Sequence, residues 1–226
     1  MQTCLLCHRE NLYQPTLWQL LNFQTVSQSP VCTGCWQTFE PIPADQACQG
    51  CGRRSAEKKC PDCQKWQADS SFSNRALYTY NAPLKRYMSQ YKFNGDYRLR
   101  RVFQGQFQQA VKTLQADLIV PIPINQSTRK QRGFNQVLGF LEGVETLAGL
   151  ATVQSDKSVP QSAKTRQQRL LTAQPFKLNV DEEVFRKKRV LLVDDIYTTG
   201  RTIRHAAELL IGAGAREVIG LTLAHG

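Results

Sequence analysis

An open, mostly parallel α/β sheet with a small cysteine-rich module at its N-terminus is the fold class that this 226-residue sequence predicts. Three observations carry that prediction. All eight cysteines fall within the first 63 residues, so one end of the chain rests on different chemistry from the remainder. From about residue 118 onward, short apolar runs alternate with amphipathic stretches, the pattern of a sheet covered by helices. Finally, Arg189-Val-Leu-Leu-Val-Asp194 is a continuous apolar run, the mark of a parallel strand buried on both faces.

Composition bounds the function classes. Hydrophobic residues make up 41% of the chain and mean hydropathy is −0.41, enough apolar content for a core, which excludes a disordered chain. No apolar run approaches the ~18 residues of a helical membrane span, and Met1-Gln2-Thr3-Cys4 has neither the basic start nor the apolar stretch of a secretory signal. A cytoplasmic protein without a membrane span is expected. Lys and Arg number 29 against 18 Asp and Glu, a net charge of +11. Residues 1–70 hold six of each sign, so the whole excess lies in residues 71–226, and a polyanionic partner is expected there.

The cysteines come first in the chain and form four C-x-x-C pairs: Cys4/Cys7, Cys32/Cys35, Cys48/Cys51 and Cys60/Cys63. A C-x-x-C turn offers two thiolates from one tight knuckle, and two knuckles close a tetrahedral Zn²⁺ site. Gly34 within the second pair, and Gly50 and Gly52 around the third, are the small residues such turns tolerate. A disulfide framework would need an oxidising compartment, for which nothing at the N-terminus speaks. Two structural Zn²⁺ sites are expected, paired along the chain, with a cross-braced pairing left open; His8 beside Cys7 is read as a bystander. Such sites stabilise a segment too short to build much core. The domain division expected is a cysteine module at 1–66 and an α/β domain at 67–226.

The α/β elements then follow in order. Arg75–Tyr80 has the aromatic and β-branched content of a strand. Asn81-Ala-Pro83 reads as a helix start, and Leu84, Tyr87, Met88 and Tyr91 follow at helical spacing up to Asn94-Gly95. A second helical pattern runs from Leu99 to Leu114. Leu118–Ile124 is a strand with a rigid exit at Pro121 and Pro123, followed by a polar, basic loop at 126–136 and a helical pattern from Val137 to Leu150. Residues 155–175, with few apolar anchors, read as a lid or an unstructured stretch. Ile203, Ala206, Ala207 and Leu210 mark a helix closed by Gly212-Ala-Gly214, and Val218–Leu223 is the last strand.

The most informative stretch is Val190-Leu-Leu-Val-Asp-Asp-Ile-Tyr-Thr-Thr-Gly-Arg-Thr202. A buried strand ends in two carboxylates, and a Thr/Gly loop opens a helix. Ligands of open α/β sheets bind at the carboxyl ends of strands, and free N–H groups at the helix N-terminus attract anions. Thr198, Thr199 and Thr202 add hydroxyl donors, while Gly200 admits close backbone approach, so a phosphate cradle is expected here, with Asp194 and Asp195 able to grip sugar hydroxyls or a metal. No G-x-x-x-x-G-K-[ST] is present, and Gly212-Ala-Gly214 follows a helix, which argues against Walker and dinucleotide sites.

This stretch resembles the signature of type I phosphoribosyltransferases, and the whole chain resembles the ComF/ComFC family of competence proteins. The resemblance extends over the four cysteine pairs, Lys92–Asp96, Val120–Pro123, Arg132-Gly-Phe-Asn-Gln136, the Pro160–Arg169 loop and the strand–loop–helix signature. It implies a type I phosphoribosyltransferase-like open sheet with an N-terminal double zinc-ribbon module, binding 5-phosphoribosyl 1-diphosphate (PRPP) with Mg²⁺. It implies that Asp194 and Asp195 meet the ribose hydroxyls and that Thr198, Thr199, Gly200, Arg201 and Thr202 hold the 5′-phosphate. It further implies a role in natural transformation, with single-stranded DNA and a helicase-type protein as partners. Tyr197 departs from many nucleobase transferases, and the acceptor of a transfer stays open, a nucleobase in nucleotide salvage being the alternative. Phosphoribosyl transfer would call for cations on the departing diphosphate. Lys92, Arg129, Lys130 and Arg132 are the candidates, and a lid bearing Lys164, Arg166 and Arg169 would exclude water. Trp66, Tyr87 and Phe134 are candidates for stacking bases, and a zinc-ribbon adaptor role is complementary.

Overall fold

In the computed structural model, which describes residues 2–11, 29–65, 72–153 and 174–226, the first knuckle lies between two short antiparallel strands, β1 (Gln2–Thr3) and β2 (Glu10–Asn11). Cys32 opens α1 (Thr33–Trp36), a 3₁₀ turn spans Ala44–Gln46, and α2 (Pro61–Lys65) begins directly after Cys60. The looped ribbon expected between the first two pairs falls largely on residues 12–28, outside the described residues, as does the expected division at 66–67.

The α/β region opens with β3 (Phe72–Thr79), whose alternating burial places Phe72, Asn74, Ala76 and Tyr78 inward. Its helix, α3 (Ala82–Lys92), starts where the sequence puts it: the Asn81 side chain accepts from the Leu84 amide at 3.1 Å, and Pro83 occupies the first turn, where no donor is needed. Leu84, Tyr87, Met88 and Tyr91 are buried, as their spacing requires. The single helix expected over 99–114 is instead a 3₁₀ turn (Tyr97–Val102) and α4 (Gln104–Leu114), separated at Phe103. The apolar positions still reach the core: Leu99, Val102, Phe103 and Phe107 are all buried.

After β4 (Leu118–Pro121), the segment expected as a basic loop folds as α5 (Gln126–Arg132), capped by the Asn125 side chain on the Thr128 amide at 2.7 Å and closed by Gly133 at φ 82°. The helix expected over 137–150 is only α6 (Gln136–Phe140). Two short strands, β5 (Leu150–Thr152) and β6 (Phe176–Leu178), pair antiparallel, and the expected lid between them lies almost wholly in 154–173, outside the described residues. A 3₁₀ turn (Glu182–Phe185) leads into β7 (Arg189–Tyr197), α7 (Arg201–Gly212) and β8 (Glu217–His225).

The central sheet is parallel throughout, in the order β3-β8-β7-β4. Along β7, Leu191 and Val193 join the cluster that contains Leu84, Phe103 and Phe140, while Val190 and Leu192 join the one that contains Ile203, Ala206 and Leu210. The sheet is therefore covered on both sides, which explains the unbroken apolar run of this strand. The exposed edge of β3 is closed by the cysteine module: the Thr79 amide donates to Glu40 O, the Ile42 amide to Leu77 O and the Asn74 amide to Gly50 O, each at 2.9 Å. Among the described residues, no helix is long and apolar enough to cross a membrane.

Candidate functional site

β7 carries Asp194 and Asp195 near its carboxyl end, and four residues beyond Tyr197 the chain enters α7, a 12-residue helix. Gly200 caps that helix at φ 71°. A Cβ there would stand 2.0 Å from Cζ of Tyr197, so glycine is required both by the backbone and by the ring packed against it. Tyr197 is itself fixed. Its hydroxyl accepts from Arg204 Nε at 3.0 Å, its ring stacks on His225 at 4.8 Å, and burial pushes its phenol up to about 12. Tyr197 is thus the floor of the loop. Above it, Thr198 is exposed and Thr199 half-buried, with the Thr199 hydroxyl accepting from the Arg201 amide at 3.4 Å. Arg201 and Thr202 form the first turn of α7, and Arg201 Nε donates to His205 Nε2 at 3.0 Å.

The two carboxylates differ in environment. Burial, reinforced by the charge of Asp195, raises the Asp194 carboxyl to about 7, against the pull of the Asp195 amide and of Lys92. Its Oδ1 accepts from the Asp195 amide at 2.8 Å. Asp195 is 6% exposed, and its Oδ2 receives Lys92 Nζ and Gln136 Nε2, each at 2.5 Å. Gln136 in turn accepts from Arg132 Nη1, and burial lowers the Arg132 pKa. The basic side chains expected to face a departing diphosphate are therefore disposed differently. Lys92 pairs with Asp195, Arg132 reaches Asp195 through Gln136, and Arg129 and Lys130 are exposed on α5. Gln136 ends Arg132-Gly-Phe-Asn-Gln136, but the sequence gives it no role, since a hydrogen bond between distant elements leaves no periodicity to read. Tyr91, whose hydroxyl donates to Gln136 O at 2.9 Å, escaped for the same reason: its spacing marks it only as a core residue.

Of the proposed base-stacking residues, Tyr87 is fully buried, with its hydroxyl on Leu99 O, so it presents no face to a base. Phe134 is half-buried between Tyr91 and Tyr97, and Trp66 lies outside the described residues. Phe93, within the Lys92–Asp96 motif, is 64% exposed beside Lys92, with the Arg132 guanidinium 5.9 Å from its ring centre.

The cysteines gather along the chain as Cys4, Cys7, Cys32 and Cys35, and as Cys48, Cys51, Cys60 and Cys63, with the sulfurs of each group within 4.8 Å of one another. This is the sequential pairing, and four thiols at that separation fit a tetrahedral ion. His8 takes no part in either group. The knuckle glycines have specific reasons: a Cβ on Gly50 would meet Cys63 Sγ at 2.8 Å, and one on Gly52, at φ 79°, would meet the β3 backbone at 2.6 Å.

A family model described as phosphoribosyl transferase domain matches residues 133–226, the part that holds β7, the loop and α7. Competence protein ComFC of Streptococcus pneumoniae (strain ATCC BAA-255 / R6) is 38% identical over 218 residues, covering 95% of this chain and 96% of that protein. Competence protein ComFC of Bacillus subtilis (strain 168) is 32% identical, covering 97% of this chain and 93% of its own. The solved structure of an allosteric regulatory enzyme of purine biosynthesis overlaps 55% of this chain and 26% of its own length, at 19% identity and a TM-score of 0.36. Similarity to two such relatives over nearly the full length, a phosphoribosyltransferase domain around the loop, and two four-cysteine groups that fit a double zinc ribbon lead to one assignment: the chain belongs to the ComFC family of competence proteins.

Proposed function

We propose that the loop after β7 binds PRPP with Mg²⁺, and that the protein supports DNA uptake in natural transformation by holding single-stranded DNA on the basic surface beside that loop. The observation that carries this reading is one succession of residues. Asp194 and Asp195 lie near the end of a central parallel strand, Thr198, Thr199 and Gly200 form the loop after it, and Arg201 and Thr202 open a 12-residue helix. Carboxylates accept hydrogen bonds from ribose hydroxyls, and the helix N-terminus with its hydroxyl donors suits the 5′-phosphate. Mg²⁺ would supply neutralising charge on the diphosphate, and Zn²⁺ would hold each four-cysteine group. The exposed ring of Phe93 beside the Arg132 guanidinium supports the DNA half of the reading, since bases stack on aromatic faces and cations follow the backbone. A cytoplasmic location and a helicase-type partner belong to the same reading.

Calorimetry tests the first half. Replacing Asp194→Asn together with Asp195→Asn is expected to weaken Mg²⁺·PRPP binding at least about tenfold; unchanged binding overturns the sugar-gripping role. For the second half, affinity for a single-stranded oligonucleotide is expected to fall steeply as salt rises, and a flat response overturns it.

A further inference from the structure

We propose that Gln136 is a positioning residue for Asp195, an amide clamp that sets the carboxylate facing the sugar and couples it to Arg132. The inference rests on the PRPP reading for its ligand and on the geometry for its substance. Gln136 is 6% exposed, and its main chain is fixed from two sides. The Tyr91 hydroxyl donates to its carbonyl at 2.9 Å. Asn135, directly before it, donates to Ile122 O at 3.1 Å and accepts from the Val137 amide at 2.9 Å. The side chain then makes two bonds of opposite sense: Nε2 donates to Asp195 Oδ2 at 2.5 Å, and Oε1 accepts from Arg132 Nη1.

A primary amide does both without carrying a charge. A carboxylate accepts and a guanidinium donates, so the group between them must donate at one end and accept at the other, and its two partners dictate which way it points. A glutamate at this position would satisfy Arg132 but set a third carboxylate against Asp195 and Asp194; an apolar residue would serve neither side. Lys92 alone is a poor substitute, because its ammonium sits on a flexible four-carbon stem. Arg132 depends on the clamp as well, since its buried Nε has no hydrogen-bond partner among the described residues. β7, α3 and α6 thus meet at one carboxylate oxygen, with α5 joined to it through Gln136, the member of that group with no charge to offer a ligand.

Two measurements on the full chain test the clamp. In the ligand-free protein, the Gln136 side-chain amide signals, assigned by their loss in Gln136→Met, are expected to lie downfield and to move back in Asp195→Ala. Signals that do not respond to Asp195→Ala overturn the proposal. In calorimetry, Gln136→Met is expected to weaken Mg²⁺·PRPP about tenfold and to weaken inorganic diphosphate, which has no ribose, much less, with Gln136→Glu weaker than Gln136→Met. Equal loss on both ligands, or Gln136→Glu binding as well as Gln136→Met, overturns it. If the unaltered protein binds no PRPP, the reading of the loop fails, and the amide signals alone then decide the clamp.

Discussion

The two four-cysteine groups share an internal plan and differ in what surrounds them. In each, the amide of the third cysteine is directed at the sulfur of the first: Cys32 to Cys4 Sγ at 3.3 Å, and Cys60 to Cys48 Sγ at 3.2 Å. In each, burial pushes the first thiol up, but backbone N–H groups prevail and hold Cys4 and Cys48 down at about 6. Outside the knuckles the likeness ends. The first group packs on the aromatic cluster of Trp36, Phe39, Tyr78 and Phe103, in which the rings of Phe39 and Phe103 lie 4.9 Å apart. The second lies in the cluster of Phe72, Tyr197 and Ile203, under the strand end that carries the candidate site, and its Gly50 and Gly52 abut β3. Equal metal chemistry is therefore expected to have unequal consequences, structural for one group and reaching the loop for the other.

The largest effect comes from removing the groups one at a time. A structural zinc contributes about 10 kcal/mol or more to a small module, comparable with the stability of a whole domain. Cys51→Ser with Cys60→Ser is expected to lose one metal equivalent and to strip hydrogen-exchange protection from Asn74–Ala76 on β3 and from the loop at 198–202. Cys7→Ser with Cys35→Ser should also lose one equivalent but leave both stretches protected. Equal deprotection by the two pairs would erase the distinction drawn here.

Next in size is a pH effect confined to the second side. His225 is buried against Tyr197, and its burial, helped by the positive charge of Arg53, lowers its pKa to about 4. The unfolded histidine titrates near 6.5, so between those values the unfolded chain binds more protons and stability falls as pH drops. The span corresponds to about 3 kcal/mol at most. His225→Gln removes this contribution, so whatever the variant loses at pH 7 should shrink progressively toward pH 4 in urea unfolding curves. A gap independent of pH would show that another group governs the acid limb.

How much of this was legible in the sequence follows from the range of the interactions. Local ones could be read: the C-x-x-C spacings, the unbroken apolar strand before Asp194, and Asn81 with Pro83 at a helix start all matched what folded. α5 escaped because Gln126–Arg132 contains no apolar residue from which to read a period; its ends are set by Asn125 and Gly133 instead. The opposite error over 137–150 has a similar origin: apolar positions continue past Phe140, but Gly143 at φ 79° takes the backbone out of the helix. At the candidate site, the β7 carboxylates and the loop lie within one short segment, whereas Lys92 and Gln136 reach Asp195 from 103 and 59 residues away in sequence, and no spacing rule connects them.

The smallest effects sit in two asparagines that tie the cysteine module to the α/β region, one near each group. Asn74 is buried, and its Nδ2 donates to Cys51 O at 2.9 Å and to Thr222 Oγ1 at 3.1 Å, bridging the third knuckle to β8. Asn74→Ala leaves Cys51 O and the Thr222 hydroxyl without this donor, an expected loss of about 2 kcal/mol. Asn81 spans a more exposed gap: Nδ2 donates to Thr38 O at 3.0 Å while Oδ1 caps α3. Asn81→Ala removes both functions, for about 1 kcal/mol. Asn81→Asp separates them, because a carboxylate keeps the cap on the Leu84 amide, favoured by the helix dipole, but cannot donate to Thr38 O. Urea midpoints should therefore rank the parent first, then Asn81→Asp, Asn81→Ala and Asn74→Ala. If Asn81→Asp is as stable as the parent, the tie near the first group carries no weight, and the contrast between the two sides is sharper than the hydrogen bonds alone imply. If it falls as far as Asn81→Ala, the bridge to Thr38 rather than the cap is what Asn81 contributes, and the first group is anchored more firmly than its surroundings suggest.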